Sequence, residues 1–252
     1  MINFIRAILF NITFYGATAV LCFLYLPSLL LPRPIFIKVI TSYFQTMYFI
    51  ERTVLGLKME VRGLENLPKK GSYIVASKHQ SAYETLKLFI LFGDPAIVYK
   101  RELTLIPLWG WFMLKAQMIP IDRKRGKTAM QSIIENAESV VKEGRPIAIY
   151  PQGTRVKVGE QRPYKYGFMK LYTAYDLPIV PVALNTGYFW AKNAFLKKPG
   201  TAIIEILPPI EAGKDPAVTF EILQRQIEDR SDELLLEAKK VECLGEIVEQ
   251  EQ

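Results

Sequence analysis

The stretch "SYIVASKHQSAYETLKLF", residues 72–89, decides the fold. Its first half, Ser72 to Lys78, is a continuous apolar run with no polar alternation, as in a strand covered on both faces. From Ala82 to Phe92 the composition turns helical. Between the two lies the polar link "KHQS", which holds His79, the only histidine of the chain.

The same alternation recurs on either side of this stretch. "LKMEVRG" (57–63), "AIVYK" (96–100), "MIPIDR" (118–123), "PIAIYP" (146–151), "PIVPVALN" (178–185) and "AIIEILPPI" (202–210) read as strands. Helical patterns stand between them at about Leu105 to Lys115, at 127–144 closed by Gly144, and at 164–176. A charged helix from about Ala217 to Val241 closes the chain. Strands alternating with helices predict an α/β layer fold with a mixed, largely parallel sheet flanked by helices. In such folds ligands gather at the carboxyl ends of strands. Two polar clusters fall there, "KHQS" and "QGTR".

The chain has 252 residues, half of them hydrophobic, enough for one large core. Its net charge of +7 suits an anionic membrane or a phosphorylated ligand. The basic residues are scattered, with short clusters at "DRKRGK" (122–127) and "LKKP" (196–199), and no basic stripe is interleaved with aromatics. Nucleic acid is therefore not expected as a partner. One His and two distant cysteines, Cys22 and Cys243, cannot assemble a standard zinc site or a disulfide framework. No metal is expected.

No side chain from Ala7 to Leu31 is charged, and the apolar part before Pro27 is about 20 residues, roughly a hydrocarbon core in length. Pro27, Pro32 and Pro34 break it, and residues 35–50 resume as an amphipathic helix with Ile37, Ile40, Phe44 and Tyr48 on one face. A single span followed by a surface helix, a hairpin dipping into one leaflet, and two core helices are the competing readings. The hairpin is favoured. Residues 1–55 are thus expected to be membrane-anchoring helices and 56–252 a catalytic domain.

His79 ends a strand, and Glu84 follows in the first turn of the next helix. A carboxylate there can hold the imidazole tautomer and leave its other nitrogen to act as a general base. Yet Ser81-Ala82-Tyr83-Glu84 also fits S-x-x-E, a capping box in which Glu84 bonds the backbone of Ser81. Spacing alone leaves both readings open, and a carboxylate has oxygens for both. No G-x-S-x-G elbow, P-loop or strand-linked G-x-G-x-x-G occurs. In "YPQGTR" (150–155), Gly153 permits an unusual backbone angle, Thr154 adds a hydroxyl, and Arg155 offers a forked donor for phosphate.

Taken together, these residues resemble the membrane-associated glycerolipid acyltransferases, and among them the 1-acyl-glycerol-3-phosphate acyltransferases. "KHQSAYE" resembles the family's N-H-x-x-x-x-D block, residues 99–123 its second block, "YPQGTR" its F-P-E-G-T-R, and "VPVALNTG" (180–187) its V-P-V-x-x-N. Glu84 stands where the family has Asp, and Gln152 where it has Glu.

The resemblance implies a glycerol-phosphate acyltransferase-like fold without cofactor. It implies transfer of an acyl group from acyl-CoA or acyl carrier protein to the sn-2 hydroxyl of a lysophospholipid, at a membrane and with the catalytic domain on the cytoplasmic face. In that reading His79 is the base and Glu84 its partner. Arg155 binds the substrate phosphate, Lys100 and Arg101 assist, and the backbone around Gly153 and Thr154 serves substrate. Rival readings are a sibling acyltransferase for another lysolipid or glycerol-3-phosphate, a thioesterase, and a non-catalytic membrane-binding protein.

Overall fold

The computed structural model describes residues 2–122 and 127–250. Arg123, expected at the end of the "MIPIDR" strand, and the part of the basic cluster at 123–126 lie outside the described residues.

Among the described residues, seven strands form one mixed sheet: β1 (Leu57–Arg62), β2 (Ile74–Ser77), β3 (Ala96–Lys100), β4 (Ile119–Ile121), β5 (Ile147–Ile149), β6 (Ile179–Leu184) and β7 (Gly200–Ile206). Their spatial order is β1-β7-β6-β2-β5-β3-β4. All neighbours run parallel except β6 and β7. Strands β6, β2, β5 and β3 are adjacent and point the same way, so the segments leaving their carboxyl ends emerge along one edge.

The helices are α1 (Ile2–Leu24), α2 (Arg33–Ile50), α3 (Leu88–Phe92), α4 (Trp109–Lys115), α5 (Lys127–Lys142), α6 (Met169–Tyr175), α7 (Thr186–Phe189) and α8 (Pro216–Gln250). Strand β2 is buried along its whole length. Ile74 and Ala76 pack with Ile147, Ile149 and Ile179 beneath residues of α5, α6 and α8. Val75, Ala148, Val180 and Val182 pack on Leu88 and Phe92 of α3. The period of two thus sends apolar side chains to both faces, which is why these strands read as unbroken apolar runs.

Two expected helices are shorter than their patterns. The 82–92 run is a 3-10 turn at Thr85–Lys87 leading into α3, because side-chain bonds from Glu84 and Ser81 hold the preceding turn in irregular backbone. The 105–115 run begins as a 3-10 turn at Arg101–Leu105, and Pro107 holds Ile106 extended before α4 starts.

The N-terminal segment is a helical hairpin. The 3-10 turn Leu26–Leu30 joins α1 to α2, and Thr18 Oγ1 lies 3.1 Å from the Tyr43 hydroxyl across the pair. Among the described residues, one helix, over Phe4–Leu24, is long and apolar enough to cross a membrane by length and composition. It leaves Phe4, Ile12, Val20 and Phe23 exposed. The apolar face of α2, by contrast, is turned toward protein. Phe44 stacks on Phe89 at 4.9 Å and Phe36 on Phe112 at 6.1 Å. Arg33 makes a two-pronged bond to Asp94 at 2.7 and 2.8 Å. α2 continues into a π-helical turn, Glu51–Leu55, whose Glu51 forms a fully buried ion pair with Lys87.

Candidate active site

His79 leaves the carboxyl end of β2, and the loop after β5 grips its backbone on both sides. Its N–H donates to Gln152 Oε1 at 3.0 Å, and its carbonyl accepts from the Val156 N–H at 2.8 Å. The imidazole lies 3.9 Å from the Tyr150 ring, tilted by 18°. Burial pushes the Tyr150 phenol above its ordinary pKa, with the Glu84 charge adding to the effect. Tyr150 is therefore a neutral platform, and its hydroxyl is spent on Thr85 Oγ1 at 3.2 Å.

Glu84 makes both expected contacts, to the imidazole and to the backbone of Ser81. Oε1 lies 2.9 Å from His79 Nδ1 and also accepts from the N–H groups of Gln80 and Ser81 at 2.8 and 2.7 Å. Oε2 accepts from Thr186 Oγ1 at 2.7 Å. The carboxylate is buried while His79 keeps 15% of its side chain exposed. With Nδ1 occupied, Nε2 is the ring nitrogen left for a ligand. Thr186, at the start of α7, belongs to the fourth sequence block but carries no recognisable chemistry in the sequence. Gly187 beside it donates to Gln80 Oε1 at 3.0 Å, and a Cβ there would come within 2.8 Å of Gln80 Cβ.

Gln152 is buried and does not line the cavity at His79. Its Nε2 donates to Glu228 Oε1 at 3.2 Å, and Glu228 on α8 also pairs with Lys78 at 2.7 Å and accepts from the Tyr164 hydroxyl at 2.8 Å. The loss of a family carboxylate at 152 is thus a matter of the buried network behind His79, where Glu228 supplies the charge.

A cavity of about 220 Å³ opens at His79. Lys100, Gly153 and Arg155 line it, as does Lys165, which the sequence did not single out. Gly153 has φ +68°, and a Cβ there would lie 2.9 Å from Lys165 Cε, so glycine gives the backbone its turn and the lysine its path. The Gly153 N–H donates to the Tyr150 carbonyl at 2.9 Å. Thr154, half-buried in the same loop, is not among the lining residues. Arg101 does not join Lys100. It lies 3.7 Å from Asp122 and lines a separate cleft, since β3 ends at Lys100 and Arg101 opens the following 3-10 turn. Among the described residues, no group of three or more His, Cys, Asp or Glu could hold a metal ion.

An apolar chamber of about 170 Å³ adjoins the cavity, sharing Thr85, Ile97, Tyr99 and Leu103 as a common wall. Tyr25, Ile40 and Phe44 from the hairpin region, and Phe112, Met113 and Ala116 from α4 and its end, enclose the rest. The site therefore offers a carboxylate-held imidazole, a cationic rim and a hydrocarbon-lined recess side by side.

The acyltransferase family model matches residues 58–185, which include His79, Glu84, Lys100, Gln152, Gly153, Arg155 and Lys165. The chain is 36% identical over 188 residues to the 1-acyl-sn-glycerol-3-phosphate acyltransferase of Pseudomonas aeruginosa, covering 74% of this chain and 73% of that one. It is 33% identical over 167 residues to the enzyme of that name from Saccharomyces cerevisiae, of whose length it spans 55%. The fold is similar to the crystal structure of the 1-acyl-sn-glycerophosphate acyltransferase from Thermotoga maritima, with TM-score 0.73 and 22% identity over 90% of this chain and 97% of that one.

Proposed function

The chain belongs to the acyltransferase family, and from that premise we propose that it transfers an acyl group from a thioester, acyl-CoA or acyl carrier protein, to the sn-2 hydroxyl of 1-acyl-glycerol-3-phosphate, forming phosphatidic acid. The observation that carries this reading is the His79–Glu84 pair opening on a cavity that has cations on one side and an apolar chamber on the other.

His79 Nε2 takes the proton of the acceptor hydroxyl as its oxygen attacks the thioester carbonyl carbon. Glu84 keeps Nδ1 protonated and stabilises the imidazolium that forms. The tetrahedral intermediate collapses by breaking the carbon–sulfur bond. The departing thiolate, a fair leaving group with a free pKa of about 8.5, takes the proton back. Arg155, Lys100 and Lys165 hold the acceptor phosphate, the guanidinium as a fork and the lysines as point charges. The acyl chain of the donor lies in the apolar chamber, where burying each methylene contributes about 0.8 kcal/mol. The exposed apolar face of α1 lies in one leaflet, so a lipid acceptor reaches the cavity from the membrane. The catalytic domain then sits on the cytoplasmic face, where thioester donors are found.

The test incubates purified protein with lysophosphatidate and a thioester, and identifies the lipid product by mass. Phosphatidic acid that disappears with His79→Ala is the expected result. Free fatty acid as the only acyl product, with thiol released, would mean that water is the acceptor and the reading is wrong.

A further inference from the structure

Resting on the acyl-transfer reading, we propose that a second, basic cleft beside the catalytic cavity binds the phosphates at the nucleotide end of a coenzyme A thioester. Arg155, Lys157, Arg162 and Lys192 line this cleft with one carboxylate, Glu160, in a volume of about 300 Å³.

The arrangement of the cavities carries the assignment. The apolar chamber and the His79 cavity share a wall, and the His79 cavity shares Arg155 with the basic cleft. The chamber and the cleft share no residue. The His79 cavity is therefore the middle of a track that runs from hydrocarbon, through the reacting centre, to a cluster of cations. A fatty-acyl thioester of coenzyme A has its parts in that order: alkyl chain, thioester, then phosphates.

The cleft's own chemistry agrees. Arg162 brings a guanidinium fork suited to phosphate oxygens, and Lys157 and Lys192 add compact charges, which leaves Arg155 to the acceptor phosphate. Lys192 Nζ donates to the Arg155 carbonyl at 3.1 Å, which fixes the segment after α7 against the loop after β5. Lys157 and Glu160 stand 3.8 Å apart with both side chains largely exposed, a solvent-screened contact that a phosphate can displace. A concave volume of this size holds phosphate groups. A standard-size protein interface, by contrast, spreads over about 800 Å² of each partner.

Lys157 and Arg162 are exposed and contact neither His79 nor Glu84, so the double variant Lys157→Glu/Arg162→Glu is the probe. Three donors with the same acyl chain are compared: the coenzyme A thioester, the phosphate-free N-acetylcysteamine thioester, and the carrier-protein thioester. The expected result is a KM for the coenzyme A thioester raised about tenfold or more, an effect that shrinks at high salt, with the N-acetylcysteamine thioester as the unaffected comparison. Equal change with both small donors, or a change confined to the carrier protein, would overturn the proposal. Calorimetric binding of free coenzyme A, weakened in the variant, tests the cleft without turnover. A wild-type protein that binds coenzyme A but makes no phosphatidic acid would count against the transfer reading and leave the cleft standing.

Discussion

Oε1 of Glu84 receives His79 Nδ1 and the N–H groups of Gln80 and Ser81 at once, all within 2.9 Å. One oxygen thus fixes both the turn and the ring. In Glu84→Gln the amide oxygen still accepts these bonds, and its NH₂ faces the Thr186 hydroxyl, which can accept in return. The fold should persist, while the charge that stabilises the imidazolium is lost. We expect kcat to fall about 10²–10⁴-fold with only a small change in Tm. Paired kinetics and thermal unfolding check this, and parallel losses in both would make Glu84 a structural residue only.

The buried network behind His79 makes a charge prediction. Gln152→Glu places a second carboxylate against Glu228 at the position now 3.2 Å away, where Lys78 already pairs with Glu228. An uncompensated buried charge costs about 3–5 kcal/mol. Gln152→Glu should therefore lower stability clearly, and Gln152→Glu/Glu228→Gln should recover most of it. Denaturant unfolding of both single variants and the double closes the cycle.

Much of the fold was legible because the central strands are apolar on both faces and stand out as unbroken runs, as in Ile74–Ser77 and Ile179–Leu184. Helix ends were less legible where side chains take over backbone bonds, as Glu84 does, or where Pro107 intervenes. The amphipathic face of α2 was visible, but a stripe does not say what covers it, and here Phe89 and Phe112 do. In the site, His79, Gly153 and Arg155 came from local motifs, and Lys100 came from the resemblance of its block to the family's second. Lys165 came from neither, since it arrives through a loop closed by its own N–H to the Pro151 carbonyl, across a glycine that leaves it room. Glu228 lies on a distant helix, and nothing near it in sequence signals a partner for Gln152. The block resemblance implies a shared role for Lys100 and Arg101, but the chain turns into a 3-10 helix between them and their side chains part.

Glu51 and Lys87 tie the end of the hairpin to the turn that carries Glu84, with the Tyr48 and Tyr83 rings 4.8 and 4.2 Å from the ammonium. Burial raises Glu51 from 4.5 to about 7, against the downward pull of Lys87. A raised carboxyl pKa means that the folded state holds the extra proton. Its contribution to stability is then full below about pH 4.5 and is lost as pH rises through about 7. Lys87→Met removes the opposing cation and pushes Glu51 higher still. Stability of that variant should fall more steeply than wild type across and above this window. Lys87→Met/Glu51→Leu should flatten the profile and recover most of the loss of about 3–5 kcal/mol. Tm measured over a pH series decides it.

Lys165 and Arg155 both line the His79 cavity. If both hold the acceptor phosphate, Lys165→Ala and Arg155→Ala should each raise the KM for lysophosphatidate about tenfold or more, since a hydrogen bond to a charged group contributes about 1.5–3 kcal/mol. A monoacylglycerol, which lacks the phosphate, should show no such change. Gly153→Ala should reproduce part of the Lys165 effect, because the added methyl would sit 2.9 Å from Lys165 Cε at a backbone angle of +68°. A Gly153→Ala protein with wild-type KM would separate Lys165 from the acceptor.

If the donor's acyl chain lies in the apolar chamber, one wall residue should move the limit on chain length. Ala116 is almost fully buried and lines the chamber together with Phe112 and Met113. Ala116→Phe fills space that would otherwise take about three methylenes. At about 0.8 kcal/mol each, that loss is roughly 2–3 kcal/mol, or about 30- to 150-fold in kcat/KM for the longest donor accepted by the wild type. Shorter donors should be turned over almost as before, so the preference moves to short chains instead of activity falling throughout. Met113→Ala makes the reverse change by enlarging the recess, and it should favour longer chains. Competition between two donors of different length, with the products resolved by mass, reads both shifts in one experiment. A uniform loss across all lengths in both variants would place the acyl chain somewhere other than this chamber.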